Sequence, residues 1–344
     1  MSAAGQKARP LRHDAVLRST PGNVLWGQIA ADREPVLRID PGQTVRIDTV
    51  SHQGLTAGRD PVEVFGADGI APAEILQDAR DIYREVQRAE GGGAHIITGP
   101  IYVAGARPGD MLEVRVLDVE FRVPYGINAT GPGRGAAPGL LAQPAQKLIR
   151  LDLARNVALF SREVEVPLAP FMGIVAVAPP PETPRVSTRP PGAFGGNLDF
   201  KHLVAGSTLY LPVFNEGALF YTGDGHGVQG DGEVDGTAIE ISLTPTLQFV
   251  LHKGAGAAMK WPRAEDAKHH YVMGMAADLD TALRNSVTET ARFLRERAPL
   301  TEAEAYALCS LAADFRIGEA VNGVVMVYGM IPKRLFREAT GYWA

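Results

Sequence analysis

Apolar and polar residues alternate with a period of two through most of the first two thirds of the chain, the repeat expected of half-buried strands. Residues 36–50 read Val-Leu-Arg-Ile-Asp, a Pro-Gly turn, then Thr-Val-Arg-Ile-Asp-Thr-Val, which predicts a hairpin. From Met111 to Phe121, Leu112, Val114, Val116 and Val119 alternate against Glu113, Arg115 and Glu120. Further strands are expected over 147–153, 157–160, 173–178, 207–214, 218–221, 237–243 and 247–252. Short strands separated by Gly and Pro indicate a β-sandwich or barrel rather than a parallel α/β sheet. No repeat of fixed period is present.

The periodicity changes near the C-terminus. Leu279, Leu283, Val287, Ala291 and Leu294 are spaced four, four, four and three apart and predict one apolar stripe on a helix that Pro299 stops. Thr301 and Glu304 form a capping-box signature for a second helix running to about Ala313, and residues 323–331 read as a buried strand. The Gly/Ala/Pro-rich residues 126–146 suggest a long loop near or over a site, and the six prolines of 178–192 a stiff connection between sheets. The expected organisation is a tail and lead-in over 1–35, a first β domain over 36–178 and a proline-rich linker over 179–192. A second β unit over 193–260 and an α+β portion over 261–344 complete it.

Composition narrows the function classes. At 344 residues the chain is long enough for two or three subdomains. A formal net charge of −5 without a basic cluster argues against nucleic acid and anionic membranes as partners. No apolar run approaches the ~18–20 residues that span a bilayer, and the N-terminus lacks a signal-peptide core. The single cysteine, Cys309, has no partner for an internal disulfide and sits in an apolar stretch as a buried bystander. These features together predict a cytoplasmic protein.

The densest chemistry lies in residues 223–233, Gly-Asp-Gly-His-Gly-Val-Gln-Gly-Asp-Gly-Glu, where five glycines separate Asp224, His226, Asp231 and Glu233. Such a loop can fold back and aim several side chains at one point. Upstream, Gly195-Gly196-Asn197-Leu198-Asp199 adds an amide and a carboxylate, and Asp199 and Asp224 are expected at the same end of a hairpin. Carboxylate oxygen and imidazole nitrogen suit zinc and related divalent ions, which generate hydroxide from water near neutral pH. On this reading Asp199, Asp224 and His226 hold the ion, His52 at a strand end is a possible further ligand, and Glu233 is the general base and acid. Asn197 or loop N–H groups donate to the tetrahedral oxyanion. A structural calcium loop is the competing reading, and Asp231, followed by Gly232, reads as a turn residue. His95 and His202 read as surface residues, His269 and His270 as solvated, and His13 as part of a disordered tail. No Gly-x-Ser-x-Gly elbow occurs, and Gly225-Gly227-Gly230 lacks the helix that a dinucleotide site requires.

The run 195–199, then Gly206-Ser207-Thr208-Leu209-Tyr210-Leu211-Pro212-Val213, Glu216-Gly217-Ala218, Gly223 through Glu233 and Thr237-Ala238-Ile239-Glu240 resembles the acetamidase/formamidase family. So do Gly99-Pro100-Ile101-Tyr102-Val103, Pro108-Gly109-Asp110, Val321-Asn322 and Ile331-Pro332-Lys333. The resemblance covers about 36–337. It implies a hydrolase of linear carboxamides that releases ammonia and a carboxylate. It also implies a mainly β fold: a jelly-roll-like sandwich, a second β unit and a small α+β portion, in a homodimer. Residues 51–95, with Val62-Glu63-Val64-Phe65-Gly66, lack the acidic run of formamidase members, which points to a different or larger amide than formamide. Two other classes compete with the amidase: a non-catalytic jelly-roll module presenting a calcium loop to a ligand, and a hydrolase of another C–N bond, cyclic or urea-like.

Overall fold

A computed structural model describes residues 12–56 and 58–337. The architecture is mostly β with a few C-terminal helices. One nine-stranded sheet runs in the order Ala15–Leu17, Thr44–Ile47, Leu243–His252, Met111–Phe121, Thr208–Pro212, Arg263–Glu265, His269–Ala276, Val325–Pro332 and Asp314–Glu319. A six-stranded sheet orders Gly195–Asn197, Phe171–Ala176, Phe220–His226, Ile96–Val103 and Val24–Trp26, with Leu37–Ile39 also paired to Ile96–Val103. Strands from before and after the proline-rich segment alternate in both sheets, and that segment contributes the strand Arg185–Ser187, paired with Gln28–Ala30.

The alternating pattern translates into a core between the two large sheets. Leu112 and Val114 meet Ile97, Ile101, Ile174 and Phe220 in one buried cluster. Glu113, expected on a wet face, is buried, and its carboxylate contacts His252 Nε2 at 2.5 Å. The other face of that strand is covered too, since Met111 packs with Tyr210 and Met259.

Long-range pairing overrides several local expectations. The two strands around Pro41-Gly42 do not pair with each other. Leu37–Ile39 runs parallel to Ile96–Val103, while Thr44–Ile47 joins the nine-stranded sheet. The residues flanking the turn therefore enter different sheets, and each gains more apolar burial there than a two-stranded ribbon would provide. The strand expected over 237–243 is an irregular segment instead, tied by isolated bridges of Glu240 to Ile127 and His226.

The helix Leu279–Arg297 forms, but its buried face is not the predicted stripe. Leu279 and Leu283 are exposed, whereas Ala282, Ser286, Thr290 and Phe293 are buried. Close approach explains the choice. A Cβ on Gly274 of the underlying strand would stand 2.1 Å from Ser286 N, so only small helix residues fit against the sheet. Other histidines also differ from expectation. His270 is buried at 1% exposure, His269 is half-buried, and His202 stacks on Tyr271 with ring centroids 4.7 Å apart. His13 is exposed ahead of the first strand; residues 1–11 of the expected tail lie outside the described residues, as do 338–344. Among the described residues no helix is long and apolar enough to cross a membrane.

The second helix, Glu302–Ala312, carries the anticipated capping box: Thr301 Oγ1 accepts from Glu304 N at 3.2 Å, and Thr301 N donates to the Glu304 carboxylate at 2.8 Å. Thr301→Ala removes the N-cap acceptor and is expected to lower stability by about 1 kcal/mol. Urea unfolding monitored by circular dichroism measures this, and an unchanged midpoint would show the cap to be dispensable.

Candidate active site

Three neighbouring strands build the floor of the site. Phe171–Ala176 lies between Gly195–Asn197 and Phe220–His226, with Ile174 opposite both Asn197 and Gly223. Asp224 and His226 are two apart on one strand and so point to the same face. Asp199 arrives from the far side, just past Asn197. The expected hairpin linking Asp199 to Asp224 is therefore a three-strand arrangement, with residue 173 in the gap. A Cβ there would lie 2.6 Å from Asp199 Oδ1, 2.7 Å from Asp224 Oδ2 and 2.9 Å from His226 Cε1, so the space above Gly173 is where the carboxylates converge.

The glycine-rich run is half strand and half loop. Residues 223–226 are strand, and the chain leaves the sheet only after His226. Asp199, Asp224 and Glu233 all have left-handed backbones, with φ of 44°, 57° and 45°. That conformation costs roughly 1–3 kcal/mol for a residue with a side chain, and clusters of it are characteristic of functional sites. Asp231 turns away, towards Lys201 Nζ at 2.9 Å and the Tyr328 hydroxyl at 3.0 Å.

His226 is the hub. Its Nε2 lies 3.4 Å from Asp224 Oδ2, 3.4 Å from Glu240 Oε1, 3.8 Å from Glu233 Oε1 and 3.9 Å from Asp199 Oδ1. Its Nδ1 is 2.9 Å from Gln229 Oε1, and Gln229 Nε2 donates to the Asp199 carbonyl at 2.7 Å. With Nδ1–H donating to Gln229, the ring is fixed and Nε2 faces the carboxylates. His52 Nδ1 approaches Asp224 Oδ1 at 3.7 Å, and His95 Nε2 approaches Asp224 Oδ2 at 3.7 Å. The outer nitrogens of these two rings contact Gln53 and Thr188.

The C-terminal hairpin supplies support. Asn322 Nδ2 donates to Asp199 Oδ2 at 2.6 Å, and Glu319 Oε1 accepts from the N–H groups of Val321 and Asn322. Gly232 donates to Gly318 O and accepts from Ala320 N, so the glycine-rich loop is bound to this hairpin through its backbone.

The charge balance of the cluster is unusual. Burial and the neighbouring acids push Asp199 and Glu240 up to about 7 and Glu233 well above the carboxylate range. Burial likewise raises Glu319 to about 8. Burial opposes ionisation of Asp224 as well, yet His95 and His226 hold its carboxyl far below the usual range. Desolvation drives His52 down to about 3, while Glu240 and Asp224 outweigh burial at His226 and raise it.

Several donor atoms have no hydrogen-bond partner although they are buried: His52 Nδ1, Asn197 Oδ1, Asp199 Oδ1, Asp224 Oδ1, His226 Nε2 and Glu240 Oε2. Unpartnered buried polar atoms are costly, so a group of them around one point calls for a further ligand. Within the cluster, the sets His52–His95–Asp224, Asp199–His226–Glu233 and Asp224–His226–Glu240 each have ligand atoms within 4.8 Å of one another. The mixture of imidazole nitrogen and carboxylate oxygen fits zinc or a related transition ion better than calcium, which takes oxygen ligands. The cluster opens into a cavity of ≈ 820 Å³ that His52, His95, Asn197, Asp224, Glu233 and Glu240 help to line.

Thus Asp199, Asp224, His226, Glu233 and His52 come together, and Asn197 faces the same cavity. Sequence reasoning did not single out His95, Glu240, Glu319 or Gln229. His95 read as a surface residue, yet it is the first turn of chain before Ile96–Val103 that carries it to Asp224. Glu240 could have been suspected from its place at the end of the glycine-rich block. The loop of 126–146 is confined to 131–144, since 125–130 form a strand; Arg134 and Gly135 from it line the cavity.

Comparison with known proteins agrees with this architecture. Residues 71–188 and 183–338 match the model of the acetamidase/formamidase family. An acetamidase of Mycolicibacterium smegmatis is 29% identical over 238 residues, covering 51% of this chain and 57% of that protein. The chain therefore spans a little under three fifths of that relative's length. Among solved structures, an acetamidase from Bacillus halodurans superposes with a TM-score of 0.76 at 29% identity, covering 94% of this chain and 99% of the other. A predicted acetamidase/formamidase from Thermoanaerobacter tengcongensis gives 0.78 at 23% identity, over 94% and 97%, which speaks to the fold alone. The chain belongs to the acetamidase/formamidase family.

Proposed function

We propose that the chain hydrolyses linear carboxamides to a carboxylate and ammonia, using a divalent ion held by Asp199, Asp224, His226 and His52. The observation that carries this reading is the set of unpartnered, buried nitrogen and oxygen donors converging above Gly173 at the base of an open cavity. Family membership and relatives named acetamidase and formamidase support the choice of amide chemistry. A bound ion, zinc by the donor mixture, would supply Lewis acidity and lower the pKa of a water from 15.7 towards ~7.

The protein's own residues do the rest. Glu233 removes a proton from the attacking water and returns it to the departing nitrogen, which leaves as ammonia. Its raised pKa suits a group that must both accept and give a proton near neutrality. Asn197 presents its amide to the cavity and donates an N–H to the oxygen that becomes negative in the tetrahedral intermediate, an interaction worth about 3 kcal/mol per donor in comparable sites. Gln229 keeps His226 Nε2 turned inward, and Asn322 holds Asp199. A calcium-binding module without catalysis is disfavoured by the three imidazoles around Asp224. A homodimer in the cytoplasm, acting on a small amide, completes the proposal.

Chelator treatment, with metal loss verified by elemental analysis, is expected to abolish ammonia release, and zinc to restore it. Undiminished activity in metal-free protein would remove the ion from the mechanism. Glu233→Gln should retain its metal and lose at least ~10² in turnover; a fully active variant would take the proton-transfer role from Glu233. Gly173→Ala places a methyl group among three ligand side chains and should deplete both metal and activity, with the circular dichroism spectrum unchanged. Normal metal content in that variant would show that the space above residue 173 is not the binding position.

A further inference from the structure

The cavity has two electrostatic halves. All the carboxylates that line it, Asp224, Glu233 and Glu240, belong to the buried cluster at its base. Its mouth carries three exposed arginines from three separate loops: Arg88, Arg134 and Arg189. None of these forms an ion pair with a carboxylate among the described residues. Each is steadied only by main-chain oxygens: Arg88 by Gly92 and Gly93, Arg134 by Gly236, and Arg189 by Val321. An adjoining recess of ≈ 480 Å³ shares His52, Arg88 and Arg134, adds Arg59, and has no carboxylate in its lining.

A short neutral amide uses none of this. Acetamide has four heavy atoms, and a cavity of ≈ 820 Å³ lies in the range that holds far larger ligands. Guanidinium groups with free N–H edges are matched to carboxylates, which they bind through paired, charge-assisted hydrogen bonds. Arg134 is close enough to His52, and Arg189 to Glu319, for their charges to be felt at the base of the site. An anion held at the mouth therefore sits within one short chain of the proposed catalytic centre. When the buried acids are neutralised by protons or by a cation, the positive mouth is left unopposed.

We infer that the substrate is an amide bearing a carboxylate at its far end, the monoamide of a dicarboxylic acid, and that Arg134 and Arg189 bind that carboxylate. This rests on the amidase reading and narrows its substrate class. The arginines are exposed, so the preference is moderate and weakens with salt.

The test compares glutaramate with pentanamide, which has the same five-carbon chain without the carboxylate. In low salt the ratio of their kcat/KM values is expected to be about 10 or more, and to fall as sodium chloride is added. Arg134→Gln and Arg189→Gln should each reduce that ratio, the double variant should bring it close to 1, and the lysine variants should retain part of it. A wild-type ratio near 1, or a ratio that survives in the double variant, overturns the inference. In the latter case the arginines merely offset the buried acids. Formamide, acetamide and propionamide are assayed in parallel, because ammonia from any of them keeps the amidase reading alive whatever the ratio. If no amide is hydrolysed, that reading fails, and calorimetric binding decides the anion site: tighter binding of glutaramate than pentanamide, lost in the double variant, supports it, and equal binding overturns it.

Discussion

The constraint on which the structure depends is the confinement of four carboxylates and three imidazoles in a pocket walled by β-sheet. Asp199, Asp224, Glu233 and Glu240 are each at most 6% exposed, and His226 is fully buried among them. Like charges at such distances in a medium of low dielectric repel by several kcal/mol, so they cannot all be ionised without compensation. The protein has two sources of it. Protonated His226 and raised carboxyl pKa values relieve the repulsion when nothing else is bound. A divalent ion would relieve it while releasing those protons, which couples metal affinity to pH.

The fold is organised to hold that arrangement. Strained backbone at Asp199, Asp224 and Glu233 is tolerated because pairing on both sides of Phe171–Ala176, the Gln229 bridge and the Gly232–Gly318 contacts over-determine the local geometry. The C-terminal hairpin belongs to the nine-stranded sheet, yet its end reaches the glycine-rich loop and Asp199. Glu319, buried and close to the cluster, ties the turn that carries Asn322. The helix Leu279–Arg297 covers the strands of this hairpin and keeps them packed. Structural support and candidate chemistry are thus joined through a few short hydrogen bonds.

Above the buried acids, the loops control what reaches them. Residues 86–95, 131–144 and the segment around Arg189 all contribute to the wall of the cavity, and they bring guanidinium groups to an otherwise acidic site. Loops of this kind vary without disturbing the sheets beneath them, so substrate choice and metal binding are carried by separable parts of the chain.

The sequence by itself determined what depends on neighbours along the chain. Strand-length alternation at Met111–Phe121 matched the observed strand, the capping box at Thr301 marked its helix, and the spacing of Asp224 and His226 put both on one face. The glycine-rich block announced the chemistry, and the resemblance named the family. Tertiary structure alone decided which strands pair, that Leu37–Ile39 and Thr44–Ile47 part company, and that small residues rather than leucines face the sheet. It also decided that His52, His95 and Glu240 meet at Asp224. The reason is physical: local patterns encode period and propensity, but contacts between residues tens to hundreds apart arise only when sheets close over a shared core.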